Sequence, residues 1–267
     1  MSDKKPDNRS YEDTLHELSK THPTVSAALS KANDNRTAAL NGYLSGVRFR
    51  GLEELLLHLA GVEKSLAAHR SGGRIAFLLS RASADFNTAL EALLSGYVGV
   101  AHDAMRDVME IEFLLRDFAA QPSHIDEWLR ASPKQRYDKF RPAILRQRNA
   151  TRIGKRPEDL AEATDYKAHS MCLHVTPQKT PFSDKGLVAS DAPFGVDMCF
   201  WEVFEHARRL VLALSHLLSL QEFAGALNPE PESLSPFKVA WERTQEMQQI
   251  FLALLQAAAK SEEDDDA

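Results

Sequence analysis

Residues 101–118 read AHDAMRDVMEIEFLLRDF, and this stretch decides the fold class. Ala101, Ala104, Val108, Ile111 and Leu115 recur three and four apart, one stripe of an α-helix, and Met105 and Met109 widen that stripe. A stripe this broad is buried from more than one side, so the spacing predicts a central helix running to about Phe118. Upstream, Ile75, Leu78, Leu79, Ala82, Phe86, Ala89, Leu90 and Leu93 mark a second helical face, with a break predicted at Ser95, Gly96 and Gly99. Leu52, Leu55, Leu56, Leu59, Val62 and Leu66 mark a third, which Ser71, Gly72 and Gly73 terminate.

Downstream, Asp197 is the expected cap of a helix using Phe200, Val203, Phe204, Ala207, Leu210, Leu214 and Leu217. A last amphipathic helix over about 237–259 uses Trp241, Phe251, Leu254 and Leu255. No strand alternation, solenoid period or sustained heptad competes with this pattern. The fold class is therefore all-α, a single helical bundle of about seven or eight helices.

The chain divides by composition into three parts. Residues 1–46 form a polar N-terminal extension with short helices, residues 47–260 the main bundle, and residues 261–267, SEEDDDA, an acidic disordered tail. Residues 176–196 carry prolines and glycines without helical period and are expected to be an irregular loop, long enough to cover a pocket.

Hydrophobic residues make up 43% and charged residues 26% of the 267, enough apolar material to bury a core without staples. The two cysteines, Cys172 and Cys199, match no metal spacing and no disulfide framework. No apolar run approaches the roughly 20 residues of a membrane span, and the start MSDKKPDNRS lacks an apolar leader. The expected location is cytoplasmic, with no membrane partner. A net charge of −6 argues against wholesale wrapping by nucleic acid, yet Lys134 to Arg156 holds nine Lys or Arg against the single acid Asp138. Ser132 before Pro133 reads as the cap of a basic helix over 133–149.

The densest polar stretch is residues 164–177, TDYKAHSMCLHVTP, on a helix opened by Pro157, Glu158 and Asp159. Tyr166, Ser170 and His174 fall four apart and share one stripe, and Pro177 stops the helix behind them. Arg106 and Glu110 are likewise four apart, with the cation in the weaker N-terminal position for a helix pair.

Three landmarks in this order resemble the DUF5677 group of bacterial helical proteins, a family allied to HEPN-type helical bundles. They are Arg106 and Glu110 in the central helix, Trp128 followed by the basic helix around Phe140 and Pro142, and the Tyr166, Ser170, His174 row. The resemblance spans about Ile75 to Phe223. It implies a bundle in which Arg106, Glu110, Tyr166 and His174 meet, and through the HEPN kinship a bacterial context of defence or stress response. It implies no established activity.

The residues themselves weigh against catalysis. HEPN ribonucleases place an arginine roughly four to six residues before a histidine, the cation holding phosphate charge and the imidazole moving a proton. Two such spacings occur here, Arg9 with His16 and Arg209 with His216, about the number chance supplies. His174 has Lys167 where that arginine would stand, and a lysine lacks the planar fork. His169, Cys172 and His174 diverge in direction on one helix, so no metal is expected, and no motif calls for a cofactor. Ser170 has no nucleophile elbow, which leaves it hydrogen bonding within the bundle.

The leading expectation is a binding protein, RNA-associated through the basic helix, with Arg136, Lys139, Arg146 and Arg148 as the phosphate contacts. The bland alternative is a solvated cationic face balanced by Asp126, Glu127 or the tail. Two further alternatives stand beside these. One is a metal-independent HEPN-like ribonuclease using His174, Arg106 and Tyr166; the other is a homo-oligomer packed through the last helix around Trp241 and Phe251.

Overall fold

The computed structural model describes residues 9–43, 46–160, 166, 195–226, 239 and 242. Within them the chain forms α1 (Tyr11–Thr21), α2 (Pro23–Tyr43), α3 (Val47–Ala68), α4 (Phe77–Leu94), α5 (Val98–Ala120), α6 (Ser123–Arg130), α7 (Pro133–Phe140), α8 (Pro142–Arg152) and α9 (Gly195–Leu218). The fold is the expected all-α bundle, with α7 and α8 standing where one basic helix was expected. No helix among the described residues is long and apolar enough to cross a membrane.

Helix α5 is the axis of the bundle, packed along its length by α4 and α9 and flanked by α8. Its Met105, Val108, Met109, Phe113, Leu115 and Phe118 are at most 1% exposed. From α4 and α9, Phe86, Phe200 and Phe204 enter the same core, and α3 contributes Leu55, Leu59, Val62 and Leu66. Each such aromatic or leucine side chain, removed from water, supplies about 1.5–3 kcal/mol. The core is thus continuous from α3 to α9.

The break between α4 and α5 has a definite cause. Gly96 takes φ 87°, a left-handed conformation that costs an L side chain but not glycine. Its N–H donates to the Leu93 carbonyl at 3.1 Å and the Tyr97 N–H donates to the Ala92 carbonyl at 2.7 Å, a Schellman closure that satisfies the last carbonyls of α4. Gly99, by contrast, lies inside α5 and is buried. Gly72 has a different necessity. A Cβ there would stand 2.4 Å from Leu66 Cδ2 and 3.0 Å from the Leu66 carbonyl, so the turn after α3 closes only over a bare backbone.

Helix α1 buries no residue, but α2 is tied to the corner that follows α4. Asn35 Nδ2 donates to the Ser95 carbonyl at 3.3 Å, Arg36 Nη2 donates to Ser95 Oγ at 3.2 Å, and Arg36 also pairs with Glu91. With Ala39 in the core cluster, α2 substitutes polar anchoring for the apolar face its sequence lacks.

The basic region folds differently from its expected single helix. Ser132 caps α7 as predicted: its Oγ accepts from the Gln135 N–H at 3.3 Å, Gln135 Oε1 accepts from the Ser132 N–H at 2.8 Å, and Pro133 takes the first helical position. The helix then stops at Phe140, and Arg141 is extended at φ −64°, ψ 151°. Pro142 is the reason, since its ring excludes the helical conformation from the residue before it and its nitrogen has no hydrogen to donate. Two more boundaries differ. Pro157–Asp159 is a single 3-10 turn followed by extended Leu160, and α9 begins at Gly195, ahead of the expected cap Asp197.

Candidate functional site

Two of the predicted site residues lie three turns into α5, and a third reaches them from outside it. Arg106 Nη2 donates to Tyr166 Oη at 2.8 Å, and the phenol in turn donates to Glu110 Oε1 at 3.1 Å. The direct Arg106–Glu110 approach is longer, 3.5 Å, so the tyrosine hydroxyl is what joins the pair. The side chains of Arg106 and Glu110 are 24% and 35% exposed, so the pair is mostly covered rather than a solvated surface pair. Phe113 tilts against the Tyr166 ring at 6.1 Å, and the guanidinium carbons of Arg106 and Arg146 stand 5.0 and 4.4 Å from its centroid.

The protonation states suit a structural network. Burial raises the Tyr166 phenol above its usual value, against the Arg106 hydrogen bond, which lowers it. Burial also raises Glu110, outweighing the lowering by Arg106 and by the tyrosine hydroxyl. A protonated phenol that accepts from Arg106 and donates to Glu110 has both hydrogen-bonding roles filled, as a structural bridge requires. His174 and Ser170, expected on the same stripe, lie outside the described residues, as do Lys167, His169, Cys172, most of residues 176–196, and Trp241 and Phe251, expected on a last helix.

Next to this network, on the seam of α4 and α5, Arg81 Nη2 donates to Asp107 Oδ2 at 2.6 Å. Asp85 is pushed up to about 6 by burial and by the Asp107 charge, with Arg81 pulling the other way. Its Oδ2 is buried without a hydrogen bond among the described residues. Because the folded value exceeds the ordinary 3.8, folding takes up a proton between those pH values, and the stabilising contribution of the neutral acid is lost as pH rises through that window. Asp85→Asn is therefore expected to gain about 1 kcal/mol near pH 7.5, screening allowed for, and nothing near pH 4. Urea melts of both proteins at the two pH values measure it; an equal effect at both would remove the carboxylate from the argument.

The four basic residues expected as phosphate contacts occupy separate settings. Arg136 is exposed on α7. Lys139 is exposed but paired with Glu127. Arg146 turns inward over Tyr166, its Nε buried without a hydrogen bond among the described residues. Arg148 reaches the interior, where Nη1 contacts Asp117 Oδ2 at 2.7 Å and Nη2 donates to the Lys139 carbonyl at 2.9 Å. The outward cations are others. Lys134, Arg136 and Arg141 have no carboxylate partner among the described residues, and Arg141 lies 4.8 Å from the ring of Tyr137, which is 62% exposed. Lys134 and Tyr137 fall three apart on one side of α7, and Arg141, just past the end of the helix, reaches back over the Tyr137 ring.

Sequence reading also missed a buried cluster around Asp117. This carboxylate is wholly covered; His124 Nδ1 donates to Oδ2 at 2.7 Å, Arg148 joins the same oxygen, and Arg152 Nη1 stands 2.8 Å from Oδ1. Because a carboxylate only accepts, His124 must carry its proton on Nδ1, which makes the 3.2 Å approach of Arg148 to that nitrogen a packing contact. Asp117 lies eleven residues, three turns, after Arg106, on one side of α5; that period was the only available signal.

Comparison of the chain with family models, with curated proteins and with solved structures yields no match. The functional reading therefore rests on the geometry alone.

Proposed function

We propose that this chain is a non-enzymatic binding protein that engages single-stranded RNA through α7. One observation carries the reading: Tyr137 stands exposed beside Arg141, with Lys134 on the same side of the helix, Arg136 adjacent, and none of these three cations held in an ion pair among the described residues. Such cations hold phosphates as counterions are released, and an exposed aromatic ring stacks on a base whatever its identity. The Ser132 cap and Phe140, buried at the far end of α7, hold the helix against the bundle so that this side faces solvent. The Arg106–Tyr166–Glu110 network serves the same end indirectly, since Arg146 over Tyr166 fixes α8 and thereby the end of α7.

Fluorescence anisotropy with a labelled single-stranded RNA tests this. Binding should weaken steeply with added salt, and Lys134→Glu with Arg141→Glu should lower affinity about tenfold or more, while Arg130→Ala, which removes a 78% exposed cation on α6, should change little. Absent or salt-insensitive binding, or equal losses from both sets, would reject the proposal.

A further inference from the structure

Residues 261–267 read SEEDDDA, in which Glu262, Glu263, Asp264, Asp265 and Asp266 follow one another without a base among them. Helix α7 presents the opposite charge. Its residues 133–139 are exposed, as is Arg141 just beyond it, and Lys134, Arg136 and Arg141 are held in no ion pair among the described residues. Asp138, the one acid on α7, pairs with none of them. Neighbouring surface cations are already committed: Arg74 and Arg130 meet Asp126, Lys139 meets Glu127, and Arg156 meets Asp159.

The chain returns to this end of the bundle before the acidic run. After α9 it turns through Gln221–Phe223, with Phe223 fully buried, and the Ala224 carbonyl accepts from His69 Nε2 at 3.3 Å. The N–H groups of Ser71 and Gly72 donate to His69 Nδ1, which fixes the ring proton on Nε2. His69 closes α3; five residues on, Arg74 pairs with Asp126 of α6, the helix that leads through Ser132 into α7. Ser261 stands 35 positions after Ala226. A chain of that length reaches about 30 Å even as a random coil, well beyond the about 12 Å spanned by an eight-residue helix such as α7.

We propose that the acidic run 262–266 docks on the basic side of α7, over Lys134, Arg136 and Arg141, and so competes with RNA for that surface. Charge complementarity selects this occupant, and attachment to the same chain holds it at an effective concentration on the order of millimolar, enough to populate contacts too weak for a free peptide. Exposed charges make the contact, so salt screens it within about 10 Å. The competition rests on the reading of α7 as the RNA surface; the docking itself does not.

Carbodiimide cross-linking of the full chain at low salt, read by mass spectrometry, tests the docking without RNA. Lys134 should form an amide with a carboxylate of residues 262–266 within one chain, at least about fivefold more than the exposed Lys31 and Lys64, and the product should disappear at high salt. Anisotropy with the labelled RNA tests the competition. Glu262→Gln, Glu263→Gln, Asp264→Asn, Asp265→Asn and Asp266→Asn together should raise RNA affinity about fivefold or more at low salt, since apparent affinity scales with the fraction of α7 left free. That gain should vanish when Lys134→Glu and Arg141→Glu are also present. No tail–Lys134 product, products spread evenly over the three lysines, products formed only between two chains, or an RNA affinity unchanged by neutralising the tail overturns the proposal. A tail–Lys134 product with no RNA bound by either protein supports the docking and rejects the RNA reading.

Discussion

Asp117→Ala should destabilise the protein by about 3–5 kcal/mol. The carboxylate is wholly covered and holds His124 of α6 together with Arg148 and Arg152 of α8. Its removal leaves two guanidiniums facing each other over a vacated site, and an uncompensated buried charge costs far more than a surface pair returns. Asp117→Asn keeps the volume and one acceptor but not the charge, so its loss should fall between the parent and the alanine variant. Urea denaturation followed by circular dichroism measures both. A loss below about 1 kcal/mol for the alanine variant would mean that the arginines swing out to water and that the cluster contributes no cohesion.

Phe113→Ala is expected to cost a similar amount, about 3–5 kcal/mol, by a different mechanism. The ring is fully buried on α5, tilts against Tyr166 at 6.1 Å, and stands one residue from Glu112 in the strip where α5 meets α8. Deleting it forfeits the transfer energy of an aromatic side chain and leaves a void that close-packed helices refill only in part. Phe113→Leu, which retains most of the volume, should lose less than about 1.5 kcal/mol. The same melts decide the matter, and comparable losses for leucine and alanine would point to the ring edge rather than the cavity. The folded Phe113→Leu protein should bind RNA as the parent does.

Much of the bundle was legible because helix packing writes itself into sequence at a fixed period. The stripe from Ala101 to Leu115 and those of α3, α4 and α9 reappear as the buried faces of the core. Stops were legible where one residue type controls the backbone, as at Gly96 with its positive φ and at Ser132 with its reciprocal cap. The bend at Arg141 was legible in principle from Pro142, but the charge pattern on either side reads as continuous and hid it. For the site, the four-residue spacing of Arg106 and Glu110 placed them on one face, and Tyr166 does meet them.

Which polar groups are spent inside and which remain for a partner is a different kind of question. Arg146 and Arg148 are as basic in sequence as Lys134 and Arg141, yet the first two are turned against Tyr166 and Asp117 while the other two face water. Asp117 and Asp126 look alike as letters; one is sealed under two arginines and a histidine, the other pairs with Arg74 at the surface. Sequence by itself determined the helices, their apolar faces and the all-α class, because those follow from periodicity and local backbone preference. Only the tertiary structure decided the fate of each charge, because desolvation and pairing depend on what a distant helix brings within about 3 Å, and no local pattern encodes that distance.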